Sequence, residues 1–490
     1  MRPSIDEIKA IAAADSTYRK VPVCMELFSD FTTPIEALRI LKNISGHCYM
    51  LESMEDNKNR GRYTFLGYDP ILEITCTDGL LRIKSGTSFQ VQTRHPEECI
   101  RQIIKENKSP RIIGFPPFTG GLVGYFSYDY IKYSEPSLNL DTVNLDGYKD
   151  VDLMLFDKVI AFDNMREKII LIVNVSIDNI DTEYNKACMQ LNMMADLLKN
   201  GKKAEIAPGH LKSEFTAGFS KEQYCSMVEK ARNYIHEGDI FQVVLSNRIE
   251  ADYEGSLFDT YRVLRTTNPS PYMFYFSSDD IEIAGASPET LVKLDQGTLN
   301  TFPLAGTRPR GKNAQEDARL KEELLADEKE CSEHNMLVDL GRNDIGRISA
   351  LGSVKVERYM SIERFSHVMH IGSTVSGRIR PDRDAVDAVD AILPAGTLSG
   401  APKLRACEII QELEGRKRGV YGGAIGYLDF TGNLDTCIAI RLAYKKNGRI
   451  CVQSGAGIVA DSVPETEYQE CINKSRAVVK AIHAAQEGLT

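Results

Sequence analysis

Glu330 and Glu333 stand at i and i+3 with Leu337 at i+7, and Glu467 and Glu470 repeat that spacing with Lys474 at i+7. On helices, each pair of carboxylates shares one face. Two acidic faces on separate helices suit a hard, octahedral cation, because Mg2+ takes one or two carboxylates and completes its shell with water and substrate oxygens. Solvated helix surface is the competing reading of the same glutamates. His334 is a ligand type, but Mg2+ prefers oxygen, so it reads as structural. Between the two acidic segments, Arg441 alternates with the small residues Cys437, Ala439 and Ala443. That leaves room for a ligand carboxylate against its planar fork, with a neighbouring acid as the alternative partner. Gly455-Ala456-Gly457 and Gly306-Thr307 provide glycines beside which backbone N–H groups can approach an anion.

These residues need elements to hold them. Residues Ala314–Leu340 carry a helical pattern that ends at Gly341. The second acidic helix opens on a capping box, Ser462 to Glu465, with Pro464 in its first turn. Tyr421–Phe430, Leu434–Lys445 and Arg449–Val459 read as a β-meander, and Thr301–Leu304 as the strand before Gly306. Upstream, Tyr63–Leu66, Ile71–Cys76, Leu80–Ile83, Val151–Phe156, Lys158–Phe162 and Ile169–Val175 read as antiparallel strands. A helix from Thr182 to Lys199 follows, then the polar stretch Asn200–Lys212, and a helix capped by Ser220 and Gln223 that stops near Gly238. The expected division is a β-rich region at 1–200, a linker at 201–218 and a larger unit at 219–485. Gly120–Phe126 (GGLVGYF) echoes Gly422–Leu428 (GGAIGYL), which suggests two similar halves in one body.

The totals narrow the function. A chain of 490 residues allows about two to four domains. A net charge of −10 argues against nucleic-acid and anionic-membrane partners, so an acidic ligand must be met by local Arg and Lys. No apolar run is long enough for a signal peptide or spanning helix. The 11 Cys form no C-x-x-C pair, the usage of a reducing cytoplasm. None sits on the Gly-flanked turn that a glutaminase nucleophile needs.

Taken in order, PLAGTRPRG at 303–311, the E-x-x-E-H helix, the G-A-G loop and the second glutamate helix resemble the chorismate-utilising enzymes. Within them the chain is most similar to the large subunits of anthranilate synthases, densest over residues 219–480. The resemblance implies an α+β fold of two packed antiparallel β-sheets flanked by helices. It implies Mg2+ on Glu333 and Glu470, with Glu330 and Glu467 acting through water. Chorismate contacts fall on Gly306, Thr307, Tyr421, Arg441, Gly455, Ala456, Gly457 and Lys474. Glu289 would protonate the departing C4 hydroxyl, with a pKa raised by burial. His370 would handle the proton lost as pyruvate leaves, and Thr307 belongs with both groups.

Members of this group differ in the nucleophile. Isochorismate and salicylate synthases activate water with a lysine where this chain has Gln242. Aminodeoxychorismate synthases typically carry a nucleophilic lysine where it has Ala305. External ammonia remains, which implies a separate glutamine amidotransferase subunit in a heterodimer or heterotetramer. The alternatives are an aminodeoxychorismate or aminodeoxyisochorismate synthase, or a non-catalytic tryptophan-sensing subunit. Leu51-Glu52-Ser53 and Asn268, Pro271, Tyr272 and Met273 resemble the family's tryptophan-binding elements, with Glu52 available to an ammonium group and Arg62 as a candidate nearby. The chain itself contains no Trp, as suits an enzyme made when tryptophan is scarce, although compositional drift would give the same result.

Overall fold

The computed structural model describes residues 1–53, 61–138, 140, 144, 146–364 and 368–488. The alternating apolar runs of the first half become β1 (Lys20–Phe28), β2 (Cys48–Glu52), β3 (Tyr63–Tyr68), β4 (Leu72–Thr77) and β5 (Leu80–Ser85). They continue as β6 (Thr87–Gln92), β7 (Gly121–Phe126), β8 (Val151–Phe156), β9 (Lys158–Asp163) and β10 (Lys168–Ser176). Two short strands, β11 (His210–Leu211) and β12 (Thr216–Ala217), precede β13 (Gln242–Glu254). Next come β14 (Tyr272–Ser277), β15 (Ile281–Ser287), β16 (Thr290–Asp295), β17 (Thr298–Thr301) and β18 (Leu304–Pro309). The chain closes with β19 (Lys355–Arg364), β20 (Val368–Arg378), β21 (Gly400–Ala401), β22 (Ala424–Asp429), β23 (Leu434–Ile438), β24 (Leu442–Lys446) and β25 (Arg449–Ile458).

Two antiparallel sheets result. The first runs β1-β10-β9-β3-β2-β14-β15-β24-β25-β13-β11, the second β18-β20-β17-β16-β23-β22-β7-β8-β4-β5-β6. Both sheets draw strands from either side of residues 201–218, joined through β2 with β14 and β7 with β22. Apolar side chains such as Tyr49, Phe65, Phe156, Phe274 and Tyr444 fill the space between the sheets. Two further clusters bury the outer faces under helices, including Ile180–Asn200 and Pro464–Glu487 on one side and Glu328–Gly346 on the other. The layering is the expected α+β sandwich. No described helix is long and apolar enough to cross a membrane.

The strand orders read alike from either side of one axis: β2, β3, β9, β10, β1 against β14, β15, β24, β25, β13, and β7, β8, β4, β5 against β22, β23, β16, β17. The axis passes between Met50 and Tyr275 in the first sheet and between Gly124 and Gly426 in the second. The echoing glycine segments are therefore direct neighbours, related by a local two-fold. Both central glycines serve close approach: a Cβ would lie 2.0 Å from the Asp152 carbonyl oxygen at Gly124 and 2.1 Å from that of Asp435 at Gly426.

Five local expectations differ from the structure, and the first is Thr301–Leu304, expected as one strand but found as the junction between β17 and β18. The helix expected over Ala314–Leu340 is two helices, Ala314–Ala326 and Glu328–Gly346, because the Asp327 carboxylate caps the second by accepting from Lys329 and Glu330 N–H. Gly341 lies inside that helix, against Thr301 and Pro303. The strand expected over Leu434–Lys445 breaks at residues 439–441, where Arg441 adopts φ +54°, and its halves belong to different sheets. Ser462 does not cap the last helix: its hydroxyl accepts from Val459 N–H, and the helix begins at Pro464.

Replacing Gly426 with Ala forces backbone apart at the two-fold axis, where no side chain can yield. The expected cost is about 1–3 kcal/mol or more, read as a fall in the unfolding midpoint, while Gly46→Ala, exposed with open space around it and no positive φ, serves as the comparison.

Candidate active site

Two segments cross side by side from one sheet to the other. Ser287–Thr290 carries the chain from β15 to β16, and Ile438–Leu442 carries it from β23 back to β24. Ile438 N–H donates to the Glu289 carbonyl at 3.0 Å, and Ala286 N–H donates to that of Arg441 at 3.1 Å. The positive φ of Arg441, uncommon for a side chain of its size, is the bend that makes the second crossing. Glu289 and Arg441 thereby face one cavity of about 580 Å3.

The same cavity collects the other expected residues. Gly306 and Thr307 enter from a bulge in β18, where Gly306 has φ +64° and a Cβ would press on Leu324 and Glu330. Tyr421, Gly455, Gly457 and Lys474 line another wall. A Cβ on Gly455 would meet the Leu245 carbonyl, and one on Gly457 the Gln242 amide. Ala456 lies between them but turns its methyl into the core with Val243 and Leu245, so only its backbone is near the cavity. Glu330, Glu333, Glu467 and Glu470 bring both acidic helix faces to the rim.

The electrostatics separate the roles. Burial pushes the Glu289 carboxyl up to about 7, against a smaller opposing effect from Thr397 Oγ1, which donates to it at 3.1 Å. Arg441 donates to the Lys474 carbonyl at 3.0 Å and makes no ion pair among the described residues. Burial lowers its pKa, the mark of an under-compensated cation. A ligand carboxylate would complete it. Burial also raises the pKa of Glu333, with the charge of Glu330 adding to it, and burial raises that of Glu467, with Glu470 adding. Lys474 offsets part of this negative cluster through a 2.7 Å pair with Glu470. Arg308 lies 3.6 Å from Glu330, but Glu333 and Glu467 make no ion pair among the described residues, and this partly compensated pair of acidic faces fits a hard cation. His370 Nδ1 lies 2.8 Å from the Gly306 carbonyl, an obligate acceptor, and 3.1 Å from Thr307 Oγ1. The ring proton is thus assigned to Nδ1, leaving the lone pair of the neutral ring on Nε2. Burial lowers the His370 pKa and favours that neutral form.

A second cavity of about 160 Å3 lies between the sheets beside the two-fold axis, lined by Leu51, Ser53, Pro271, Tyr272, Met273 and Tyr427 among others. Glu52 contributes backbone there, but its carboxylate is on the other face of the sheet, held by Arg265 at 2.7 and 3.1 Å and by the Tyr261 hydroxyl. Strand alternation imposes this, since Leu51 and Ser53 point into the cavity. Asn268 follows helix Phe258–Thr267 outside the lining. Arg62 lines the cavity while paired with Asp163. His334 is buried, with Nε2 2.6 Å from Ser373 Oγ, a packing role. His47, Glu73 and Asp279 have the spacing to hold a cation, but Lys84 already lies 3.2 Å from Glu73 and 2.9 Å from Asp279.

Residues 46–480 match the model of the chorismate binding enzyme family. The chain belongs to the chorismate-binding enzymes. Its relatives include the anthranilate synthase component 1 of Acetivibrio thermocellus, 46% identical over 99% of each chain, and that of Aquifex aeolicus, 43% identical over 99% of this chain and 98% of the relative. The structure of anthranilate synthase component I from Streptococcus pneumoniae superposes with a TM-score of 0.75 at 39% identity, covering 92% of this chain and 98% of that one. The menaquinone-specific isochorismate synthase of Escherichia coli, 18% identical, shares the fold with a TM-score of 0.69 over 98% of both chains.

Two parts of this chorismate-binding enzyme escaped the sequence reading. Thr397, the partner of Glu289, sits in Gly396-Thr397-Leu398-Ser399-Gly400, a polar glycine-flanked run whose lack of periodicity is its only signal. Arg418 is fully buried, paired with Glu414, and donates to the carbonyls of Leu398 at 2.6 Å and Val244 at 2.7 Å. Its guanidinium also lies 5.9 Å from the centre of the Tyr421 ring. It ties three cavity-lining residues together from behind. Arg418→Ala strands the Glu414 carboxylate without its partner. The expected loss is about 3–5 kcal/mol, read in denaturant unfolding, with Glu414→Ala showing a comparable loss.

Proposed function

We propose that this chain is the synthase subunit of an anthranilate synthase, turning chorismate and ammonia into anthranilate and pyruvate. One arrangement carries the reading: a buried acid, Glu289, and a cation without an acidic partner, Arg441, share a cavity with four glutamates, and Ala305 and Gln242 leave no lysine at either expected nucleophile position. Relatives 41–46% identical over nearly the whole chain bear the same name.

Chorismate is a dicarboxylate. Arg441 and Lys474 receive its negative charge, and the glycines at 306, 455 and 457 let it approach the backbone. Glu333 and Glu470, with Glu330 and Glu467 through water, would hold Mg2+. The bound ion neutralises substrate carboxylate charge and orients the ring. Glu289 donates its proton to the C4 hydroxyl, which leaves as water while the ammonia lone pair forms the bond at C2. His370 Nε2 then takes the C2 proton, the C3–O bond electrons leave with oxygen, and pyruvate departs as its enolate, which takes a proton from solvent, while the ring becomes aromatic. Thr307 holds the imidazole in place. Ammonia is supplied by a partner glutamine amidotransferase in the cytoplasm. L-Tryptophan occupies the smaller cavity and inhibits, its charged groups facing Ser53, Lys293 and Asp435.

Purified protein given chorismate, Mg2+ and abundant ammonium is expected to produce anthranilate fluorescence that tryptophan suppresses. Consumption of chorismate without that signal would point to a different product, and no consumption to a sensor. Glu289→Gln is expected to lower kcat by about 10²–10⁴. At fixed free ammonia the rate should fall as pH rises through about 7, because the acid works only while protonated. Below that, it should fall again once pH passes under the depressed pKa of His370, because the base works only while neutral. The Gln variant loses the alkaline limb alone. His370→Ala should release an aminated, non-aromatic intermediate; normal aromatic product from it would remove His370 from the scheme.

A further inference from the structure

The first crossing segment lines one cavity with Glu289 and, through the next residue, bonds to a side chain that lines the other. Glu289 lines the larger one. The next residue, Thr290, is buried and donates its Oγ1 proton to the Tyr272 hydroxyl at 3.0 Å. Tyr272 in turn donates to Asp435 Oδ1 at 2.8 Å, and Lys293 lies 3.2 Å from the other Asp435 oxygen. Tyr272, Asp435 and Lys293 all line the smaller cavity, whereas Thr290 does not. Tyr272 also opens β14, paired with Ser287 of β15, the residue at which the crossing begins.

From this geometry we infer that Thr290 is a positioning residue, through which an occupant of the smaller cavity sets the placement of Glu289. The inference rests on the reading of that cavity as the tryptophan site. A ligand entering it must accommodate Tyr272 and its two hydrogen bonds. Tyr272 moves with Thr290, and Thr290 is one peptide from the acid. The displacement also reaches the substrate cation, since the Glu289 carbonyl accepts from Ile438 and the Arg441 carbonyl accepts from Ala286. Both ends of the substrate-binding pair hang on one crossing. Coupling of this kind is reciprocal: whatever factor tryptophan imposes on chorismate, chorismate imposes on tryptophan.

The absence of Trp from the chain makes bound L-tryptophan fluorescence free of protein indole background. Tryptophan is titrated into the full chain with Mg2+, with and without chorismate, ammonium being omitted so that no turnover occurs. In the parent, chorismate is expected to weaken tryptophan binding about 5–150-fold. In Thr290→Val, which removes one hydroxyl that touches neither ligand, tryptophan affinity without chorismate should stay within about two-fold of the parent, and the chorismate effect should shrink at least five-fold. Thr290→Ser, keeping the hydroxyl, should restore it. A Val variant that binds tryptophan and retains the full chorismate effect overturns the role of Thr290 and leaves the tryptophan site standing. A parent that binds no tryptophan removes the effector reading and this inference together.

Discussion

Two strands that change sheets side by side place the chemistry of this protein. A carboxylic acid with a pKa near 7 and an arginine that makes no ion pair among the described residues face the same cavity, yet neither tolerates ordinary burial. The crossings at Ser287–Thr290 and Ile438–Leu442 solve this by leaving the ladder of one sheet and joining the other, so that their side chains enter space that no third strand fills. Mutual backbone hydrogen bonds at 3.0 and 3.1 Å satisfy the polar groups freed at the switch. The left-handed conformation of Arg441 is a local cost accepted where the site needs it.

That arrangement explains which features were legible in the sequence. Leu80–Ile83 announced its strand by alternation between a covered and an exposed face, and Ile169–Val175 by an apolar run buried on both faces. The acidic spacing placed Glu330, Glu333, Glu467 and Glu470 together, because helix geometry fixes which residues share a side. Leu434–Lys445 was misread as a single strand because its alternation continues through the crossing, with both sheets apolar on the faces concerned. Nothing local marks Arg441 as left-handed. Glu52 shows the reverse failure: a motif put it in the cavity, and strand alternation sends its carboxylate to Arg265. Thr397 was invisible because its partner Glu289 lies 108 residues away. Arg418 was invisible because its four-residue spacing from Glu414 reads as an ordinary surface pair, while the carbonyls it ties together are remote in sequence.

An acidic protein binding an acidic substrate needs charge balance at short range, and overall charge says little about it. Around the cavity, Arg441, Lys474 and Lys329 stand against four glutamates, and the pKa shifts of Glu289, Glu333 and Glu467 all run toward the neutral form. Such a cluster opposes folding on its own and is stabilised by what it binds. The buried Arg418–Glu414 pair is different, since its donors and acceptors are satisfied within the protein and it holds the walls of the cavity in place.

Among the described residues, the internal two-fold relates the smaller cavity to a position filled by larger or better-paired side chains. Counted outward from the axis, Leu51, Ser53 and Tyr272 of the smaller cavity correspond to Phe276, Ser278 and His47, and Tyr427 and Asp435 correspond to Tyr125 and Asp152. In the second position the Phe276 ring packs 6.3 Å from that of Tyr125, where Leu51 leaves a gap. Asp152 is buried, with one carboxylate oxygen 2.9 Å from Lys149 and accepting from Ser278. His47 is drawn into the Glu73–Asp279–Lys84 network, which raises its pKa chiefly through Glu73. The backbone is duplicated, and a few larger or better-paired side chains close one copy. A ligand cavity at this position therefore needs no new fold. It needs the copy nearest the Glu289 crossing to stay open, with Tyr272 lining it and bonded to Thr290 of that crossing.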